Sequence, residues 1–430
     1  MKLANKKWLK VLIITVIVII LITGGGYMFL QYKIAQIKGA ISGCKLETEN
    51  FKNVIDFEYV SDWIIVKVKI EGSDKEYDFI FDSGAQTVFS DSLINEIASS
   101  NYKKFRVQTD TAKHAFRNEI ISLNGLELGK VRFRNIGAMI VDNSEYEMLN
   151  CISPYGIIGY NILQNCCWQI DYEKKQIIIT DQIDSLTDLN NIQWVKYTCI
   201  SQETPIIPAV INDSIQVKLF FDTGYSGTIN LSSTNLYKAI SEQYPDQTAK
   251  FSVKPTIVIA GGRDVDSYKK MLFKTSTFST GPLLTKGQII SIEDVQEKKY
   301  SGLIGNKYFE NFIITLDYKN KRVGFLSAEN LEINDTKNTY GLSYTPLDDK
   351  IFVNTVYDGS EAEKMGIKVG EEIFSINGTK ISELPSETFC KIYRNEYDLI
   401  NNEDSLLVIE IEKEGKVTRH ELRKYRIFNF

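Results

Sequence analysis

The hydrophobic and polar positions of the chain form short alternating runs over most of its length. Two of them, "WIIVKVKI" from Trp63 and "IPAVI" from Ile207, each lead through a turn of Gly, Asn, Asp or Ser residues into a second apolar run. Alternation with a period of two predicts β-strands, and turn residues between two such runs predict a hairpin. The pattern therefore predicts a fold dominated by short β-strands.

One run near the N-terminus does not alternate. The segment "VLIITVIVIILITGGGYMFL", residues 11–30, has no charged residue and is long enough to cross a bilayer as a helix. Lysines are denser before it than after it, which places the N-terminus in the cytoplasm. We therefore predict a transmembrane signal anchor, with the bulk of the chain outside the cytoplasm in a bacterial periplasm or at the cell surface. Secretion after signal cleavage is the alternative.

Both hairpins end in the same short phrase. "FIFDSG" ends at Gly84 and "LFFDTG" ends at Gly224, so each strand stops at an Asp, a small hydroxyl residue and a Gly. A single phrase of this kind is more often a simple turn at a strand end. The phrase gains meaning only if its surroundings repeat as well.

The downstream sequence does repeat. The 25 residues from Gly156 align without a gap with the 25 residues from Gly302, and seven positions are identical. The order D-[ST]-G, then G-[IL]-I-G, then [IL]-D-Y thus occurs twice. We predict two similar β-rich lobes, over residues 56–190 and 191–332, that pack with pseudo-two-fold symmetry.

Such symmetry would bring Asp82 and Asp222 together at the axis. Two carboxylates about 3 Å apart cannot both ionise, so they share one proton. One carboxylate can then act as general base on a water while the other protonates the carbonyl of a substrate. The repeat therefore indicates a hydrolytic site built from both lobes.

These motifs resemble those of the aspartic peptidases of the retropepsin and pepsin type, over roughly residues 56–332. The resemblance implies a pair of β-barrel lobes and an aspartic endopeptidase with a polypeptide substrate in the cleft. Together with the anchor predicted over residues 11–30, it leads us to expect a membrane-anchored endopeptidase. Water is the nucleophile in that family, so no metal or organic cofactor is expected. The resemblance assigns roles to the dyad Asp82 and Asp222, the interlocking hydroxyls Ser83 and Thr223, and the close-approach glycines Gly84 and Gly224.

The residue that follows each D-[ST]-G motif is a candidate for a position beside the cleft, and its identity differs between the lobes. Ala85 is similar to the retropepsin pattern and gives the dyad no hydroxyl, which by that resemblance favours activity nearer neutral pH. Tyr225 departs from the family, and a ring there would shape the cleft or block it. A non-catalytic scaffold that binds peptides or proteins is therefore the alternative function. Residues 109–120, with His114, and 259–268 occupy flap positions but carry no flap motif.

After a polar linker at 331–338 the pattern changes again. The run "SEAEKMGIKVGEEIFSINGTKI" from Ser360, with its spaced Ala, Gly and Asn-Gly positions, resembles a PDZ domain, an α+β module, over residues 337–430. The resemblance implies a carboxylate-binding loop that captures a peptide C-terminus through backbone N–H groups. It assigns that loop to Gly341, Leu342, Ser343 and Tyr344. We expect the domain to recruit or regulate peptide substrates; a packing module that binds nothing is the alternative.

Composition narrows the function further. The net charge of −5 gives no basic field, so nucleic acid is not an expected partner. The six cysteines form no C-x-x-C pair, so no metal site is expected, while a disulfide involving Cys151 or Cys199 stays open. Only two histidines are present, which argues against chemistry that needs an imidazole base. Residues 31–55 are an alternative occupant of the cleft, as a propeptide.

Overall fold

The structure is a computed structural model. It describes residues 31, 39, 43–106, 116–142, 147–199, 204–254, 266–296, 300–327, 337–401, 403–413 and 415–428.

The first lobe is built almost entirely of strands that alternate between buried and exposed positions. Its strands are β1 (Lys45–Leu46), β2 (Lys52–Val60), β3 (Trp63–Ile70), β4 (Glu76–Phe81), β5 (Val88–Ser90), β6 (Tyr102–Arg106), β7 (Phe116–Leu128), β8 (Val131–Val141), β9 (Gly156–Ile158), β10 (Cys167–Asp171) and β11 (Gln176–Thr180). Its helices are short: α1 (Asp91–Glu96), α2 (Glu147–Ile152) and α3 (Tyr160–Leu163).

The second lobe repeats much of this order. Its strands are β12 (Gln193–Lys196), β13 (Ile206–Ile211), β14 (Ile215–Phe221), β15 (Ile229–Ser232), β16 (Thr248–Val253), β17 (Tyr268–Lys274), β18 (Thr277–Thr280), β19 (Leu283–Lys286), β20 (Ile289–Glu293), β21 (Gly302–Ile304), β22 (Ile313–Asp317) and β23 (Arg322–Leu326). Its helices are α4 (Thr234–Gln243) and α5 (Asn306–Phe309).

The C-terminal domain mixes strands with two helices. Its strands are β24 (Asn338–Thr339), β25 (Leu342–Leu347), β26 (Lys350–Tyr357), β27 (Glu372–Ile376), β28 (Thr379–Lys380), β29 (Leu406–Lys413), β30 (Lys416–Arg423) and β31 (Tyr425–Arg426), and its helices are α6 (Glu361–Lys364) and α7 (Ser386–Tyr393). Ser360 caps α6, because its Oγ accepts a hydrogen bond from the Glu363 N–H. Single 3-10 turns lie at Ser99–Asn101, Ile183–Ser185, Leu189–Asn191, Pro245–Gln247 and Ile381–Glu383.

One local topology occurs in both lobes and places the two D-[ST]-G loops. In the first lobe β4 pairs in parallel with β9, and β9 pairs antiparallel with β5. In the second lobe β14, β21 and β15 repeat these pairings. The chain therefore leaves β4 and β14 at equivalent points, directly before Asp82 and Asp222.

A shared sheet joins the lobes. Strand β10 of the first lobe pairs antiparallel with β22 of the second, and Gln169 lies opposite Thr315 in this register. The buried apolar side chains of both lobes form one continuous core, which includes the large rings of Trp168 and Phe221. Because burial of apolar surface is the main stabilising term, this continuity fixes the relative placement of the two loops.

The C-terminal domain is attached to both lobes. Its strand β26 pairs antiparallel with β16, so the sheet of the second lobe continues into the domain. A disulfide joins Cys151 in α2 to Cys390 in α7, 239 residues apart in the sequence. The pairing resolves the disulfide that the sequence left open.

The predicted N-terminal transmembrane helix must be removed from the fold prediction. Residues 11–30 lie outside the described residues, and no described helix is long and apolar enough to cross a membrane. The longest helix of the described part, α4, has 10 residues, against about 20 for a membrane span. The fold that the structure supports is two β-barrel lobes followed by an α+β domain.

Candidate active site

The first D-[ST]-G loop holds its aspartate with backbone hydrogen bonds. The Asp82 Oδ1 atom accepts from the N–H groups of Gly84, at 2.7 Å, and Ala85, at 2.9 Å. The Asp82 N–H donates to the Ile158 carbonyl of β9 at 3.0 Å, so the loop starts from a fixed point on the sheet. The carboxyl group is thereby oriented by its own loop.

The second loop repeats this arrangement. The Asp222 Oδ1 atom accepts from the Gly224 N–H at 2.9 Å, and the Asp222 N–H donates to the Ile304 carbonyl of β21 at 3.0 Å. The structure brings the two aspartates together at the lobe interface, where each carboxyl group lies against the motif glycine of the opposite loop and interacts with the other carboxyl group. The residues that the sequence proposed as a dyad therefore meet in space.

The two hydroxyl residues interlock the loops across the axis. Thr223 Oγ1 accepts from the Ser83 N–H at 2.9 Å and donates to the Phe81 carbonyl at 3.0 Å. Ser83 Oγ accepts from the Thr223 N–H at 3.1 Å and donates to the Phe221 carbonyl at 3.0 Å. Both side chains are fully buried, so these four bonds satisfy backbone groups that have no access to water.

Each glycine of the motif makes room for the opposite aspartate. A Cβ atom on Gly84 would collide with the Asp222 carboxyl group, and one on Gly224 would collide with that of Asp82. Glycine is required here by close approach rather than by a left-handed backbone. The requirement is reciprocal, as expected for a site on a pseudo-two-fold axis.

Burial and proximity set the protonation of the pair. Burial raises the pKa of both carboxyl groups, and the negative charge of Asp82 raises the pKa of Asp222 further, well above its usual range. At Asp82 the hydrogen bonds from Asp222, Gly84 and Ala85 oppose the rise in pKa. The two carboxyl groups therefore share one proton, which belongs to the pair as a whole.

The ring of Tyr225 lies within the second lobe. Its ring packs against Gly227 and Gly305, where a Cβ atom on either glycine would collide with it. Its hydroxyl group hydrogen-bonds to the Ser291 side chain, and burial raises the pKa of Tyr225. The ring is thus accommodated inside the second lobe, while the two carboxyl groups contact each other directly.

Sequence reasoning missed the side chains that support the loops. In the first lobe Asn161 Oδ1 accepts from the N–H and hydroxyl groups of Thr87, at 3.0 and 2.7 Å. In the second lobe Asn306 Nδ2 donates to the Thr223 carbonyl at 2.7 Å, and Trp63 Nε1 of the first lobe donates to the Gly224 carbonyl at 2.7 Å. Asn306 could have been suspected from its place after the G-L-I-G run; Trp63 has no such signal.

The predicted carboxylate-binding loop forms a turn at the start of β25. Gly341 has a left-handed φ of 87°, and a Cβ atom there would collide with Ser360. The Ser343 hydroxyl group hydrogen-bonds to that of Thr355 at 2.7 Å, and Tyr344 donates to Asp398 at 2.9 Å. The loop and its following strand are therefore held in place from the side of the domain core.

A large cavity lies between the C-terminal domain and the second lobe. It has a volume of about 1340 Å³ and is lined by Leu342, Ser343 and Tyr344 of the loop region on one side. Phe251, Leu272 and Ser291, on β16, β17 and β20, line the other side. The cavity therefore belongs to both units and is separate from the aspartate pair.

Other predicted features lie partly or wholly outside the residues that the structure describes. His114 and most of both flap segments fall outside the described residues. Residues 116–120 of the first flap segment belong to β7. Within the described ranges, no group of three or more His, Cys, Asp or Glu side chains comes together as a set of metal ligands.

Comparison with known proteins identifies the two units. Residues 66–162 match the family model for aspartyl proteases, and residues 313–397 match the model for the PDZ domain. The chain thus carries an aspartyl protease domain followed by a PDZ domain, and this resemblance, predicted from the motifs, is confirmed. The protease match covers the first lobe only, and the PDZ match begins inside the second lobe, at β22. A search of curated proteins returns no match.

Two solved structures illustrate the range of similar folds. Basic 7S globulin from soybean is 11% identical, with a TM-score of 0.38, covering 64% of this chain and 95% of the globulin. The aspartic proteinase from Irpex lacteus is 12% identical, with a TM-score of 0.42, covering 65% of this chain and 98% of the proteinase.

Proposed function

We propose that this protein is an aspartic endopeptidase that hydrolyses peptide bonds with water activated by Asp82 and Asp222. The observation that carries the proposal is that two buried carboxyl groups on matching loops meet, each against the motif glycine of the opposite loop. Two such groups share one proton, which supplies an acid and a base at one site. The family match over the first lobe supports the same chemistry.

The proposed mechanism follows from the single proton that the pair shares. Asp82, as carboxylate, takes a proton from a water held between the two carboxyl groups while the water oxygen attacks the peptide carbonyl carbon. Asp222 gives its proton to the carbonyl oxygen, which produces a neutral tetrahedral diol. The proton on Asp82 then passes to the amide nitrogen, the C–N bond breaks, and Asp222 recovers its proton from a diol hydroxyl group.

The competing function is a scaffold that keeps the fold without catalysis. A ring of Tyr225 between the carboxyl groups would favour it. The ring instead packs against Gly227 and Gly305, so Tyr225 does not supply that reason. The endopeptidase is therefore the function that this geometry supports best.

The test is cleavage of a mixed peptide library by the wild type and by Asp82→Asn and Asp222→Asn. We expect cleavage that a statine-containing peptide inhibits, and a loss of about a thousandfold or more in each variant. Asp213→Asn, at an exposed turn between β13 and β14, is the matched control and should cleave like the wild type. Wild-type protein without inhibitor-sensitive cleavage at any pH would overturn the proposal in favour of the scaffold.

We further propose that the PDZ domain binds a polypeptide by its free C-terminus. In the described part of the chain β25 pairs only with β26, which leaves its other edge for an added strand. The loop at Gly341–Tyr344 begins that strand, and the cavity beside it is large enough for several side chains. A peptide with a free C-terminus should bind at least about tenfold more tightly than its C-terminal amide in fluorescence polarisation. Equal affinity would contradict this role.

The disulfide supports a location outside the cytoplasm. Disulfides persist in oxidising compartments and are rare where thiols are kept reduced. The bond between Cys151 and Cys390 joins two separate units of the chain, so its formation stabilises their arrangement. We therefore propose an extracytoplasmic site of action. Alkylation of protein taken directly from its source, followed by mass measurement, should leave both residues unmodified; full alkylation of both would contradict the proposal.

A further inference from the structure

The hairpin between β2 and β3 has an unusual turn. Ser61 and Asp62 lie between the paired residues Val60 and Trp63, with φ values of 47° and 65°. A two-residue turn with both φ values positive normally takes Asn and Gly, because other side chains are strained there. Strain of this kind persists only where surrounding contacts enforce it.

The turn contacts the catalytic loop of the opposite lobe. Trp63 Nε1 donates to the Gly224 carbonyl at 2.7 Å, two residues after Asp222. Asn306 Nδ2 donates at 2.8 Å to the Asp62 carbonyl, and the same amide donates at 2.7 Å to the Thr223 carbonyl. Two successive carbonyl groups of the second loop are thus held by side chains tied to this one turn.

The same turn also contacts the PDZ domain. The Ser61 hydroxyl group donates to the Tyr393 carbonyl at the end of α7. Three residues before Tyr393, Cys390 forms the disulfide with Cys151 of α2. Residues of α2 pack in a small apolar cluster with Trp63 and Ala85, the latter next to the first catalytic loop. One hydrogen bond therefore connects the PDZ helix α7 to the turn, and another connects Trp63, next to the turn, to the second loop.

We propose that Trp63 is a positioning residue for Asp222, and that the PDZ domain fixes Trp63 by supporting its turn through Ser61. This inference rests on the proposed peptidase function only for its kinetic consequences. The hydrogen bond to Gly224 holds the second loop at the distance where Asp222 can share its proton with Asp82. A looser loop would separate the carboxyl groups and admit water, and both changes return Asp222 toward the behaviour of an ordinary carboxyl group.

Trp63→Phe is the most direct test, because it removes the N–H donor while an aromatic ring stays in the apolar cluster, and the matched Trp194→Phe variant controls for the smaller ring. We expect kcat to fall by about tenfold with KM within about twofold, since the lost bond acts on the catalytic loop. Ser61→Ala should lower kcat by about threefold. The double variant should lose no more than Trp63→Phe alone, because both substitutions act on one contact chain.

A second readout does not require catalysis. Titration of the aspartate carboxyl groups by 13C NMR should show the upper transition of the pair at lower pH in Trp63→Phe than in the wild type. Tyr225 and Tyr300 face Asp222, and Tyr318 faces Asp82; the substitution leaves all three in place. Trp194→Phe is the matched control, since its indole stacks on Arg322, 3.9 Å away.

The outcomes separate the two proposals. A shifted titration in Trp63→Phe, absent in Trp194→Phe, supports the positioning role even if the wild type cleaves no peptide, in which case only the peptidase function fails. An unshifted titration in a folded Trp63→Phe protein overturns the positioning role, whatever the wild-type activity. Thermal melts of both variants establish that each is folded before the comparison.

Discussion

The two aspartate loops have the same backbone hydrogen bonds but different support. The first loop rests on its own lobe, where Thr87 and Asn161 hydrogen-bond to each other and the Tyr160 N–H donates to the Ala85 carbonyl at 2.8 Å. The second loop has the equivalent backbone bond, from the Asn306 N–H to the Tyr225 carbonyl at 2.9 Å. It adds two contacts that involve the first lobe, through Asn306 and Trp63.

The difference shows that the repeated backbone provides the scaffold, whereas residues that differ between the lobes determine how each loop is supported. At the position of Thr87 the second lobe has Gly227, and the ring of Tyr225 fills the space that this glycine leaves. The loop of Asp222 is the one tied to the other lobe by Trp63 and Asn306 and, through Ser61, to the PDZ domain. The two loops thus have equivalent backbones but asymmetric support.

The largest effect is expected from the motif glycines. Gly84→Ala and Gly224→Ala each place a methyl group against the opposite carboxyl group. Each should therefore lower the rate of peptide cleavage by about a thousandfold or more. Gly359→Ala, at a left-handed turn with open space around it, should cost about 1–2 kcal/mol and leave activity unchanged. Peptide cleavage and thermal melts measure both quantities. Activity retained in either motif variant would contradict the close approach of the loops.

Removal of the interlocking hydroxyl groups should have the next largest effect. Thr223→Val leaves a buried N–H and a buried carbonyl group without partners, which should lower the free energy of unfolding by about 2–4 kcal/mol. Thr223→Ser keeps the hydroxyl group and is the matched control. Ser83→Ala should cost a similar amount because its bonds mirror those of Thr223. Denaturant unfolding measures both free energies. A large difference between the losses in Thr223→Val and Ser83→Ala would show that the two loops do not stabilise each other equally.

The raised pKa of Asp222 predicts a pH-dependent stability. Its pKa is higher in the folded than in the unfolded chain, so its contribution is fully present below about pH 4 and is lost as the pH rises through the folded value. Asp222→Asn removes this loss. The variant should therefore gain a few degrees in Tm over the wild type as the pH increases from 4, since about 1 kcal/mol corresponds to roughly 2–4 °C. A Tm difference that does not change with pH would contradict the assignment.

The smallest effect is expected at the residue that distinguishes the second loop. Tyr225→Phe deletes the hydroxyl bond to Ser291 but keeps the ring against Gly227 and Gly305. The kcat/KM ratio should change by no more than about threefold, because one hydrogen bond outside the dyad is lost. A loss of a hundredfold or more in steady-state kinetics would instead place the Tyr225 hydroxyl group in the chemistry.

The sequence predicted the part of the site that is local and repeated. The turns, the strands before Asp82 and Asp222, and the matched flanks are readable because hydrophobic alternation and turn chemistry act over a few residues. Trp63 and the pairing of Cys151 with Cys390 were not readable, since their partners lie 161 and 239 residues away and depend on the packing of whole units. Tyr225 was recognised as unusual, but the space that accommodates it depends on Gly227 and Gly305 in the folded lobe.

The pH dependence of kcat/KM for peptide cleavage tests the shared-proton dyad most directly. We expect a bell-shaped profile that reaches above the range where isolated carboxyl groups titrate, because catalysis needs one carboxyl group of the pair ionised and the other protonated. We also expect Asp82→Asn and Asp222→Asn each to remove the profile. Activity that rises only below about pH 4, or a bell that survives in either variant, would contradict the account.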